Sequence, residues 1–149
     1  MIISGTIDTI LKSKTADLWS IPPETTVFEA IRIMAEKNIG AVLVTANKKL
    51  VGIISERDYA RKVALKGRSS KETAVHEIIS APVIVVSPMH TVEECLRIMT
   101  ESRVRHLPVL QDETIIGVVS IGDLVNYVIS AQNAAIEQME NYIAGNYHC

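Results

Sequence analysis

The chain lies on itself when it is shifted by 65 residues. From Trp19 to Asp58 the two stretches align without a gap. Pro23 meets Pro88, Thr26-Val27 meets Thr91-Val92, and Glu29 meets Glu94. Arg32-Ile33-Met34 meets Arg97-Ile98-Met99, Glu36 meets Glu101, and Val44 meets Val109. Gly52, Ser55 and Asp58 meet Gly117, Ser120 and Asp123. About a third of the aligned positions are identical, and most of the others keep their polarity. Such a repeat constrains architecture before function. Each copy has only ~60 residues, a length at which a lone core is marginal. Two copies packed face to face about a pseudo-two-fold axis remove that difficulty.

Each copy reads β-α-β-β-α, so the fold class is α/β (α+β), with mixed sheets covered by helices. A short extended segment comes first, Trp19 to Ile21 in one copy and Ile84 to Val86 in the other. A helix follows. Thr26-Val27-Phe28-Glu29 and Thr91-Val92-Glu93-Glu94 both fit a capping box, in which Thr accepts from the Glu amide and Glu reaches back. Val27, Ala30, Ile31 and Met34, like Val92, Cys95, Leu96 and Met99, recur at helical spacing and predict a buried stripe. Two β-rich runs then flank a polar turn. They are Val42 to Val44 and Leu50 to Ile54 through Asn47-Lys48-Lys49, and Leu107 to Leu110 and Ile115 to Val119 through Asp112-Glu113. A second helix closes each copy. On this reading 1–149 is a single module, with repeat 1 over 7–66, repeat 2 over 74–130, and a helical extension and tail over 131–149.

Composition removes several function classes. Apolar residues make up 48% of the 149, so a core is within reach and disorder is not expected. The net charge of −2 argues against a nucleic-acid partner, and six aromatics are few for base stacking. No apolar run reaches membrane-spanning length, so no membrane partner is expected. The start, Met1-Ile2-Ile3-Ser4-Gly5, lacks the basic flank and apolar stretch of a signal peptide. With two cysteines, a disulfide framework is not expected and a cytoplasmic, reducing compartment is. The charge is nevertheless uneven. Every Lys and Arg lies at or before Arg105, and 106–149 carries −5. The densest basic stretch, Arg57, Arg61, Lys62, Lys66, Arg68 and Lys71, reads as a solvated face and also as an attractor for an anion.

The repeated motif that carries chemistry is Gly52-Ile53-Ile54-Ser55-Glu56-Arg57-Asp58, matched by Gly117-Val118-Val119-Ser120-Ile121-Gly122-Asp123. It falls where a strand ends and a helix begins, where the first helical amides lack internal partners and attract anions. The Ser hydroxyl can donate to a phosphate oxygen. The Asp, one turn on, can accept two hydrogen bonds from a ribose diol. Gly leaves room for close approach of a ligand or another backbone. A second reading needs no ligand: Ser followed three residues later by Asp also makes a capping box, and duplication copies caps as faithfully as sites.

The pattern of Gly, two apolar residues, Ser/Thr, two of any kind, then Asp, closing each half of a tandem, resembles the CBS domain, and the tandem resembles a CBS pair, or Bateman module. The resemblance runs from about Thr6 to the final helix. It includes Ile7-Asp8-Thr9-Ile10-Leu11, echoed by Val75-His76-Glu77-Ile78-Ile79, and Arg105-His106-Leu107-Pro108-Val109. The stretch from Ser55-Glu56-Arg57-Asp58-Tyr59 to Gly67-Arg68-Ser69-Ser70-Lys71 further resembles stand-alone CBS-pair proteins. The resemblance implies adenosine-derived ligands (AMP, ADP, ATP, NAD or S-adenosylmethionine) in two clefts between the repeats. Carried over by position, Asp58 and Asp123 take the ribose, and Ser55 and Ser120 approach phosphate or ribose oxygens. Arg105 and His106 face phosphate, with Gly40 and Ala41 as their counterparts. Ser80 to Ile84 borders the adenine, and Arg57 reaches a phosphate. The clefts are chemically unequal, and the one served by Asp123, Ser120, Arg105 and His106 is expected to bind better. Lys12 and Lys14 sit in a slightly longer lead-in, and Trp19 stands where the family often has a small residue, a candidate to fill the first cleft.

Cys149 beside His148 reads as a tail residue, and Cys95, aligned with Ala30, as core. No metal site is expected, because neither His76 nor His90 has a partner at ligand spacing. No nucleophile–base–orienter set or NTPase-type phosphate loop is present, so no catalytic residues are assigned. The last helix carries Val125, Val128, Ile129, Ala135, Ile136, Met139 and Ile143 on one stripe and is expected to run to about Ala144, ending at Gly145. It either makes a homodimer contact or folds back on its own domain. Two functions follow: an adenine-nucleotide sensor, non-catalytic, read by a partner enzyme, or a ligand-free interaction module acting through dimerisation.

Overall fold

In the computed structural model, which describes residues 5–14, 17–79 and 82–146, each repeat starts its first long helix on a threonine. Helix α2 spans Val27–Lys37 and helix α4 spans Val92–Ser102. Thr26 accepts from the Glu29 amide at 3.2 Å, and Thr91 from the Glu94 amide at 3.0 Å. Only Glu94 reaches back to its cap residue, at 3.2 Å. The reciprocal bond expected of Glu29 does not form, because Arg32, one turn on, engages both of its carboxylate oxygens. Both helices end on a residue in the left-handed region, Asn38 (φ 54°) and Arg103 (φ 56°), again 65 positions apart. The predicted stripes are in place: Val27, Ala30 and Met34 are buried in α2, and Val92, Cys95 and Met99 in α4. Ile31 and Leu96 are half-buried.

The strands follow the predicted order. Strand β1 (Ser20–Ile21) runs parallel to β2 (Ala41–Ala46), and β2 pairs antiparallel with β3 (Lys49–Ser55). In the second copy β4 (His106–Gln111) pairs with β5 (Thr114–Ser120). The second copy of β1 is missing from the described sheets: of 84–86, only Val86 makes a bridge. Ile84 and Val85 stay exposed there, so no burial rewards pairing. Both hairpins turn on two residues with positive φ: Asn47 and Lys48 (51° and 65°), and Asp112 and Glu113 (51° and 67°). That is the geometry of a type I′ turn, adopted without the glycine that makes it easy.

Beyond the strands the copies diverge. In the first, α3 (Glu56–Tyr59) is a single turn that loosens into a π-helical turn over Ala60–Ala64. In the second, α5 continues from Ile121 to Asn146, past Gly145, where it was expected to stop. Its described side chains from 129 to 144 are exposed, so this stretch does not fold back on its own domain.

The chain divides into two compact units that cut across the repeats. Residues 5–14, with 86–107 and 118–146, form one; 17–79, with 82–85 and 108–117, form the other. In the first, helix α1 (Ile7–Ser13) and α4 both touch α5. Thr6 bridges Thr91, and the Val92 amide donates to the Gly5 carbonyl at 3.1 Å. In the second, Thr26 bridges Ala74, and the Val75 amide donates to Thr25 at 2.8 Å. A 3-10 turn, Val75–Glu77, follows. The lead-in of each repeat is therefore hydrogen-bonded to the helix start of the other. The core of the second unit gathers Ile21, Val27, Ala30, Met34, Val42, Val44, Ile54, Val63, Val75 and Ile78. Trp19 packs against this cluster with the Lys37 ammonium 4.4 Å from its ring centre.

Candidate functional site

The motif positions two aspartates, one in each unit, and their first task is structural. Ser55 caps α3: its hydroxyl oxygen accepts from the Asp58 amide at 3.2 Å. Asp58 Oδ2 in turn accepts from the Ser55 amide at 2.9 Å and from the Ser55 hydroxyl at 3.0 Å. Ser120 Oγ accepts from the Asp123 amide at 3.1 Å, and Asp123 Oδ2 from the Ser120 amide at 2.8 Å. Both copies thus realise the capping box. Much of the expected anion trap is already spent. The Glu56 amide donates to Gly40 at 3.1 Å and the Ile121 amide to Arg105 at 2.8 Å, so two of the first three helical amides are satisfied within the protein.

The room beside the motif glycine is also taken in the first copy. A Cβ on Gly52 would stand 2.5 Å from Ile79 Cδ1. A side chain fills the space in which a ligand or backbone was expected, because the second lead-in docks Ile79 there.

What remains of each carboxylate differs. The Lys62 ammonium lies 3.4 Å from Asp58 Oδ1 and donates to the Ile78 carbonyl at 2.8 Å. Asp58 therefore has both oxygens engaged. At Asp123 the contacts converge on Oδ2: the Lys14 ammonium donates to it at 2.8 Å and to the Val118 carbonyl at 2.6 Å. Neither the Ser120 amide nor Lys14 uses Oδ1. The Asp123 side chain is 24% exposed. Burial pushes its carboxyl up, but Lys14 and the Ser120 amide and hydroxyl more than offset this and hold it below the usual range. The carboxylate is ionised, oriented and half open.

The other predicted residues divide between the units. Arg105 is exposed just before β4, and His106, half-buried, is its first residue. Both belong to the unit of Ser120 and Asp123. Gly40 and Ala41 hold the equivalent places at β2, in the unit of Ser55, half-buried Arg57, Asp58 and exposed Ile84. A cavity of about 250 Å³ is lined in part by Gly40 and Glu56, away from Asp58. Ser80, His148 and Cys149 lie outside the described residues. Lys14 and Lys62 are the contacts that sequence reasoning missed. No local signal pointed to Lys14, because the lead-ins align with a shift of 68 that sets Leu11 against Ile79. Among the described residues no cluster of His, Cys, Asp and Glu is arranged to hold a metal. No helix there is long and apolar enough to cross a membrane.

Two copies of a helix, a β-hairpin and a closing helix, each closed by a Ser-x-x-Asp corner, define a tandem CBS pair. The CBS domain model matches residues 11–65 and 75–130, and the chain belongs to this family. It is similar to the mitochondrial CBS domain-containing protein CBSX3 of Arabidopsis thaliana, 40% identical over 97% of this chain and 74% of that protein. A CBS-domain structure from Burkholderia ambifaria is 48% identical with a TM-score of 0.82, covering 86% of this chain and 96% of its own. The CBS domain pair of protein MJ0100, solved in complex with 5′-methylthioadenosine and S-adenosyl-L-methionine, shares the fold at 22% identity and a TM-score of 0.72, covering 86% and 98%.

Proposed function

We propose that this chain is a non-catalytic regulatory module, cytoplasmic in setting, that binds an adenosine-derived ligand (AMP, ADP, ATP, NAD or S-adenosylmethionine) and passes its occupancy to a regulated enzyme. One observation carries the proposal: Asp123 is held ionised at a strand-to-helix corner, with the Ser120 amide and Lys14 both on Oδ2 and neither on Oδ1. Vicinal ribose hydroxyls are donors matched to such a carboxylate. In this reading Ser120 approaches the sugar or phosphate oxygens, and Arg105 and His106 stand toward the phosphate. Ser55, Arg57, Asp58, Gly40, Ala41, Ser80 and Ile84 form the weaker counterpart, because both oxygens of Asp58 are already engaged. Calorimetry and thermal shift with AMP, ATP, NAD and S-adenosylmethionine test it. A ligand at a hundred times its Kd stabilises by ~2.7 kcal/mol and raises the melting point. Asp123→Ala removes the shift. Four ligands without effect in concentrated solution, or an Asp123→Ala chain too unstable to assay, turn the motif back into a cap.

A second reading rests on α5. Val125, Ile129, Ile136, Met139 and Ile143 are all exposed on it. We infer that a second copy of the chain covers this stripe, so that the protein is a homodimer.

A further inference from the structure

The two copies differ most sharply in what the lead-in brings to the motif. The lead-ins align with a shift of 68, which pairs Leu11 with Ile79 and leaves Lys14 opposite Pro82, with no basic counterpart. In one unit Ile79 fills the space beside Gly52. In the other, Lys14 stretches along the end of β5 and ties Val118 to Asp123. Ion pairing so tight at a 29% exposed lysine is a built contact, with both partners held by backbone hydrogen bonds around them.

A carboxylate oxygen has two lone pairs. Asp123 Oδ2 spends one on the Ser120 amide and the other on Lys14. A vicinal diol that grips a carboxylate with both hydroxyls needs one site on each oxygen. Oδ1 offers its site at once, whereas Oδ2 offers one only when the ammonium moves off. Displaced, that ammonium stands beside the sugar and loses its counter-charge. A ligand with its own anion restores the pairing, and a neutral nucleoside does not.

We propose that Lys14 is the specificity-determining residue of this corner: it occupies the second sugar-binding position of Asp123 and yields it to diol-bearing ligands that also carry an anionic group. The proposal deepens the nucleotide-binding reading and rests on Asp123 taking the sugar. It makes Lys14 a built-in competitor of nucleosides and a partner of nucleotides.

Calorimetric titration of AMP and of adenosine into the full chain and into Lys14→Met tests it. Methionine keeps the length of the stem and drops the charge. The wild type prefers AMP, and in Lys14→Met adenosine tightens while AMP does not, so the preference narrows at least tenfold. Lys14→Arg, which keeps the charge, retains most of the preference and guards against a folding defect in the methionine variant. NMR titration of the Asp123 carboxyl in the ligand-free chain supplies a second readout, rising in Lys14→Met. An unchanged AMP-to-adenosine ratio with AMP still bound overturns the role of Lys14 and leaves the nucleotide reading standing. Loss of both ligands from wild type and variant alike overturns both.

Discussion

Ile79 Cδ1 lies where a side chain on Gly52 would have to go, 2.5 Å from the position of a Cβ there. Its Cβ and Cγ1 follow at 3.1 and 3.2 Å, so rotating the end of the isoleucine does not clear the space. Gly52→Val should therefore overpack the site and cost ~1–3 kcal/mol. Chemical denaturation measures it. Ile79→Ala in the same chain should recover part of the loss, since residues in contact are not additive. An equal penalty with and without Ile79 would place the cost in the strand backbone.

Much of this was legible before the structure, and the reason is locality. Thr26, Thr91, the α2 and α4 stripes and the Ser-x-x-Asp corners are patterns within a turn or two of chain, and duplication shows each of them twice. What escaped was contingent on partners. Glu29 has the same spacing to its cap as Glu94, yet Arg32 captures it. Lys14 and Asp123 lie 109 residues apart, and no local rule joins them. The π-helical turn after Tyr59 and the unpaired 84–85 stretch break the symmetry that the repeat led one to expect.

The hairpin turns offer a gain in stability. Lys48 and Glu113 occupy the second positive-φ position of their turns. An L side chain in the left-handed region costs ~1–2 kcal/mol, and glycine there avoids it while adding some unfolded-state entropy. Lys48→Gly and Glu113→Gly should each stabilise by up to ~1 kcal/mol, additively, because the turns share no partners. Melting curves of the two single variants and the double decide this. A loss in either would mean that the side chain contributes more than its backbone strain costs.

Stability should also depend on acid through Asp123. Its carboxyl, raised by burial but lowered further by Lys14 and Ser120, lies below the usual value in the folded chain. A depressed folded pKa binds fewer protons than the unfolded state. The contribution is therefore complete above the ordinary aspartate pKa of about 3.9 and is lost as pH falls from there through the lower folded value. Lys14→Met removes the ammonium that holds the value down, so it should flatten this part of the curve. Denaturant midpoints from pH 6 to pH 3, wild type against variant, measure the difference; parallel curves would show that the ion pair does not form in solution.

The exposed stripe on α5 carries the last expectation. Ile129, Ile136 and Ile143 recur at seven-residue intervals, and Val125, Gln132 and Met139 fall four residues before each. This is the a/d spacing of a two-stranded coiled coil, with Gln132 as a polar interruption at some cost in stability. Most helical stability comes from packing of an apolar face, and a second copy would supply that packing to the exposed stretch of α5. Glutamate at both Ile129 and Ile136 would bury like charges in such a seam, costing several times the ~0.5 kcal/mol that bounds most surface changes. Sedimentation of the double variant should show a monomer where the wild type is a dimer, with nucleotide binding at the Asp123 corner retained. If the wild type already sediments as a monomer at high concentration, the stripe serves a different protein; if the double variant remains a dimer, the copies meet elsewhere.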